Sequence, residues 1–66
     1  MNLSSKALIS ILEKNGFGFK RAKGSHQIYF NHISKITVSV PVHTKDLKKG
    51  TFLGIIRQAG IDKNLM

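Results

Sequence analysis

The stretch GFGFKRAKGSHQIYFN, residues 16–31, decides the fold, because it holds a tight turn with extended chain on either side. Phe17, Phe19 and Arg21 alternate with Gly18, Lys20 and Ala22, which is the period of a strand. Gly24-Ser25 then suits a two-residue hairpin loop of the kind that takes glycine first. A second strand follows from His26 to about Asn31, and a polar turn around His32 to Lys35 leads to a third. That third strand, Ile36 to Val40, alternates Ile36, Val38 and Val40 with Thr37 and Ser39. Pro41 closes it, since proline has no N–H for the ladder. The turn sets the pairing: Lys23 opposite His26, Arg21 opposite Ile28 and Phe19 opposite Phe30.

Helical patterns flank these strands. From Ser4 to Asn15, Ala7, Leu8, Ile11 and Leu12 fall at helical spacing, with Lys6, Ser10, Glu13 and Lys14 on the other side. Ser4 or Ser5 can cap the first amides, and Gly16 supplies a left-handed stop. After the loop VHTKDLKK, residues 42–49, a second helix is predicted from about Thr51 to Ala59, stopped by Gly60. Its stripe is Phe52, Leu53, Ile55, Ile56 and Ala59.

The expected fold class is α+β, a single domain over residues 1–66 in the order helix, three antiparallel strands, helix. Two apolar helices need one sheet face, so both are expected on the face carrying Phe19, Ile28, Phe30, Ile36, Val38 and Val40. Lys20, Gln27, Tyr29, Thr37 and Ser39 are expected to meet water on the other.

Eleven Lys and Arg stand against three acids (Glu13, Asp46 and Asp62), a formal net charge of +8. Such a surface attracts polyanions. No apolar run approaches the roughly 18 residues needed to cross a bilayer, and no long basic helix has an aromatic face, so a membrane partner is not expected. The N-terminus has no signal-peptide layout, and there is no cysteine to form a disulfide. A cytoplasmic protein is the expectation.

His26, with Lys23 beside it and Arg21 diagonal on the same face, is expected at the margin of the core. Partial burial and nearby cations would then favour neutral imidazole, the form that takes a proton. The cations would hold a phosphate. This suits metal-free RNA cleavage, in which a base assists the 2′-OH and positive charge steadies the phosphate oxygens. Three scattered acids do not build a two-metal carboxylate cage, and no spacing of His32, His43 and a carboxylate reads as a zinc site, so no metal or other cofactor is expected. The phosphate-binding set is Lys20, Arg21, Lys23, Gly24, Ser25, Lys45, Lys48 and Lys49. By default Gly24 is a turn glycine and the cations are solvated charges, while a histidine beside a hairpin is more often structural or simply on the surface.

Four segments carry a resemblance. Lys14-Asn15-Gly16-Phe17 after a helix, Lys23-Gly24-Ser25-His26, Val40-Pro41-Val42-His43, and Gly50 to Gly60 (GTFLGIIRQAG) together resemble the HicA family of toxins. The resemblance runs from about Ser4 to Ile61. It implies a double-stranded-RNA-binding-like fold and a ribosome-independent mRNA interferase whose one essential histidine follows the Gly-Ser of the hairpin, here His26. It also implies a cognate HicB-like antitoxin, which covers the active site and often joins it in a larger hetero-oligomer that represses its own promoter. Many members carry a second histidine where this chain has Gln27, and a His-Pro pair ending the second strand where it has Asn31-His32-Ile33. His43 matches the Val-Pro-His region; it is an RNA contact or proton donor, or a loop residue packing the start of the second helix, the latter being favoured. Shape reading of duplex RNA usually spans about 16 base pairs, so single-stranded regions of mRNA are the expected substrate of so small a domain. A non-catalytic RNA-binding module is the main competing reading, and a purely protein-binding accessory subunit a weaker one.

Overall fold

The computed structural model describes residues 2–62 and 64. Helix α1 (Ser5–Lys14) is followed by strands β1 (Phe17–Lys23), β2 (His26–Asn31) and β3 (Thr37–Pro41), and then by helix α2 (Lys49–Gln58). The sheet is antiparallel, in the order β1-β2-β3. This is the α+β arrangement expected from the sequence, with β3 displaced by one residue so that Pro41 is its last member.

Local chemistry accounts for the element ends. Ser4 caps α1, its Oγ accepting the Ala7 N–H at 3.0 Å. Gly16 leaves α1 at φ +89°, and a Cβ there would stand 3.1 Å from Asn31 Nδ2. Gly24 has φ +60° while Ser25 stays out of the left-handed region, as a glycine-first hairpin turn requires. α2 begins two residues earlier than predicted. Its N-cap, Lys48, makes no side-chain capping bond, so the sequence carries no capping signal at that point. What holds the start is Leu47, buried and donating its N–H to the Leu3 carbonyl at 2.8 Å.

The sheet departs from strict alternation at one residue. The predicted pairs Lys23–His26 and Arg21–Ile28 are present, but Phe19 faces Tyr29, not Phe30, because Lys20 is an extra residue in β1. A bulge of this kind sets two residues of one strand against one of the other. Without it, Phe17, Phe19, Arg21 and Lys23 would share a face, and the two cations would lie on the helix side of the sheet with the phenyl rings. The additional residue sends Arg21 and Lys23 to the open face instead, in a strand that is exposed everywhere beyond Phe17.

The faces of β2 are therefore opposite to expectation. Tyr29 pairs with Val38 and Gln27 with Val40, on the side that α1 and α2 cover. Phe17, Tyr29, Val38 and Val40 form the core with Leu8, Leu12, Phe52, Ile55, Ile56 and Ala59. Ile28 and Phe30, expected inside, lie on the open face across from Ser39 and Thr37 and are only half-buried. Phe19 stays on the helix side but at the sheet margin, 57% exposed, its ring 5.9 Å from that of Tyr29 in an edge-to-face pair. The Tyr29 hydroxyl donates to Gln27 Oε1 at 2.9 Å, which satisfies the one polar atom this ring brings inside.

Asn31, buried at the end of β2, ties two turns together. Its Nδ2 donates to the Asn15 carbonyl at 3.1 Å, and its Oδ1 accepts from Ile33 N at 2.8 Å and Ser34 N at 3.1 Å. Among the described residues no helix is long and apolar enough to cross a membrane.

Two outcomes test this core. Tyr29→Ala should cost about 3 kcal/mol, as truncation of a buried aromatic does, and Phe30→Ala distinctly less; urea titration measures both. Burial, and then the charge of Glu13, raises the Tyr29 pKa above its ordinary 10.0. A group raised on folding stabilises fully below its unfolded pKa, and that share is lost as pH rises through the folded value. Melting temperatures of wild type and Tyr29→Phe should therefore converge above pH 10, the hydroxyl-bearing protein losing more.

Candidate functional site

Three short segments meet at the hairpin end of the sheet: the turn Gly24-Ser25, the end of β3, and the N-terminus of α1. His26 opens β2 and sits across from both Lys23 and Pro41. Directly opposed residues share a face, so His26, Lys23 and Pro41 all lie on the open side, with Arg21 and Ile28 the next pair along. His26 is exposed, not at the margin of the core as expected, because Val40 and Gln27 have taken the inward positions beside it. Partial burial therefore plays no part in its chemistry. Its neighbours on the open face are cations, Lys23 directly across and Arg21 on the next pair along.

The bulge enlarges that row. Arg21 and Lys23 are brought outward by it, and Lys20 also reaches this side, with its Nζ 5.2 Å from the centre of the Phe30 ring. Lys20, Arg21, Lys23 and His26 thus stand on one exposed surface beside the exposed turn residues Gly24 and Ser25. Lys45, Lys48 and Lys49 are exposed too, but on the loop before α2 and its first turns, which belong to the helical layer. They share the hairpin end of the molecule, because Leu47 is bonded to Leu3. The predicted phosphate-binding set is therefore divided between two layers.

The loop after β3 is pinned at both sides of the site. Val42 donates to the Ser25 carbonyl at 2.8 Å, continuing the pairing past Pro41. Ser5, the residue after the helix cap, is buried; its Oγ donates to the Pro41 carbonyl at 2.8 Å and accepts the His43 N–H at 3.3 Å. His43 itself is exposed, and it is the backbone of this residue that fastens the loop to α1. Ser5 was legible only as an alternative cap, since its bonds span 36 and 38 residues of sequence. Neither helix has an acidic residue in its first turn, so nothing there offsets the positive ends of the two helix dipoles at this end.

A second cluster, which the sequence did not reveal, occupies the other end of the open face. The rings of Phe30 and His32 are perpendicular at 5.1 Å. With Gly18, Phe19 and Lys20 they line a cavity of about 250 Å³. Among the described residues no three His, Asp or Glu side chains come together in a way that would hold a metal ion.

Residues 5–61 match the family described as the HicA toxin of bacterial toxin–antitoxin systems. The chain belongs to the HicA toxin family. Membership carries with it a place in a toxin–antitoxin pair. No curated protein is significantly similar to it beyond that. In this HicA chain the hairpin that bears Lys23-Gly24-Ser25-His26 is also the most exposed part of the sheet.

Ser5→Ala would orphan the Pro41 carbonyl and the His43 amide together. The expected loss is about 1–3 kcal/mol. For a domain of this size each kcal/mol is about 4–8 °C in melting temperature, which calorimetry reads directly.

Proposed function

We propose that this toxin is a metal-independent endoribonuclease that cuts mRNA in single-stranded regions and so blocks translation, with His26 as its essential acid–base group. The observation that carries the reading is the exposure of His26 on the open face, beside Lys23 and along from Arg21. An imidazole in that position has access to a phosphodiester, and the cations offer charge to its oxygens.

The chemistry follows from those groups. The imidazole nitrogen takes the proton of a ribose 2′-OH, the 2′ oxygen forms a bond to the adjacent phosphorus, and the bond to the 5′ oxygen breaks. The product strand ends in a 2′,3′-cyclic phosphate. The departing 5′ oxygen takes up a proton from a second donor, for which His43 is a candidate because its loop is bonded to the turn through Val42 and Ser25. Lys23 and Arg21 hold the phosphate while negative charge builds on its oxygens. Lys20, Lys45, Lys48 and Lys49 draw the strand in and orient it. A HicB-like antitoxin completes the pair by covering this face, and a net charge of +8 favours rapid capture by an acidic partner surface.

The purified toxin should degrade RNA with EDTA present. His26→Ala should retain RNA affinity within a few-fold and lose about 10²–10⁴ in cleavage rate, as removal of a general acid–base group does. Unchanged cleavage by the variant would overturn the role of His26. Unchanged binding with no cleavage by wild type would favour the non-catalytic RNA-binding module.

A further inference from the structure

The Phe30 cluster has no explanation in the core. The helix side of β2 is filled by Tyr29, so the Phe30 ring is not needed for burial, yet it is kept half-buried and framed. Lys20 Nζ lies 5.2 Å from the ring centre and the His32 ring stands perpendicular to it at 5.1 Å. Directly across the ladder is Gly18. Nothing lies within 4 Å of where a Gly18 Cβ would be, so the space opposite the ring is open. The cavity there, about 250 Å³, is about eight times the ~30 Å³ share of a water molecule and has room for a planar heterocycle.

We propose that this cavity is a nucleobase-stacking subsite, in which one unpaired base of the RNA lies against Phe30 between His32 and Lys20. The inference rests on the ribonuclease reading above and adds to it where the strand is gripped. Aromatic rings bordered by cations are the usual platform for single-stranded nucleic acid, since every base has a π-face and the neighbouring cation meets the backbone. Phe30 and His26 are four residues apart on one strand and point the same way, a separation of about 13 Å. A strand running along β2 would therefore reach the stacking ring a few nucleotides from the bond being cut. Gly18 matters because any side chain at that position would occupy the place of the base.

The test uses single-stranded RNA oligonucleotides bound to the toxin carrying His26→Ala, so that substrate survives the titration. Adding Phe30→Leu should weaken binding roughly 5- to 150-fold, the range that ~1–3 kcal/mol per stacked base corresponds to. The dependence of affinity on salt should keep its slope, because no phosphate contact is lost. Gly18→Val, which fills the cavity from the opposite strand without disturbing the ring, should weaken binding in the same way. An abasic nucleotide walked along the oligonucleotide should cost affinity at one position, and that cost should vanish in Phe30→Leu. Affinity unchanged in both variants, with wild type still binding and cutting RNA, would overturn the subsite alone. Absence of RNA binding by the His26→Ala protein and by wild type at low salt would overturn both the subsite and the ribonuclease reading. If the variants bind RNA normally but escape neutralisation by the antitoxin, the ring belongs to a protein contact and the subsite is again overturned.

Discussion

One residue too many in an edge strand governs the distribution of chemistry over this molecule. Phe17 and Phe19 point toward the helices, and Arg21 and Lys23 away from them, yet all four have the same parity in sequence. Lys20 absorbs the difference by bulging. Everything on the open face follows: two cations join His26, a third reaches over the Phe30 ring, and Gly18 is left opposite that ring with empty space above it. A bulge bends the strand, increases the local twist and re-aims the side chains after it, which is why bulges recur next to functional sites.

Much of the architecture was legible in the sequence because its signals are local. Gly16, Gly24 and Gly60 all adopt the left-handed backbone expected of helix stops and a glycine-first turn, and Ser4 caps where a hydroxyl was anticipated. Which face of β2 turns inward was not legible. The segment Gln27-Ile28-Tyr29-Phe30 has apolar residues at both parities, so hydrophobicity cannot choose between them. The choice is made by the pairing with β3, where Val38 and Val40 fix the inward side. The turn alone was a sound guide to register up to Arg21 and failed beyond it, because a bulge is a tertiary compromise with no residue signature of its own.

The candidate site was legible in the same measure. His26, Lys23 and Arg21 were grouped correctly from the two-residue turn, since that pairing lies on the near side of the bulge. Their exposure was misjudged along with the face. The loop lysines were assigned to the same set by charge alone, and charge carries no information about layer. Ser5 and Asn31, which hold the surrounding loops, were not distinguishable from capping or turn residues, because their partners lie far away in sequence.

The strand order leaves β1 and β3 as the two borders of a three-stranded sheet. These borders are unequally guarded. β1 is irregular and carries Lys20, Arg21 and Lys23, which repel a second copy and spoil its fit, whereas β3 runs Thr37-Val38-Ser39-Val40-Pro41 with no charge at all. Unpaired backbone along an uncharged border invites another chain to add a strand. Only Pro41, which offers no N–H, interrupts that border, so what keeps a second copy of this chain from adding along β3 is the repulsion between two molecules of charge +8 more than local protection of the strand.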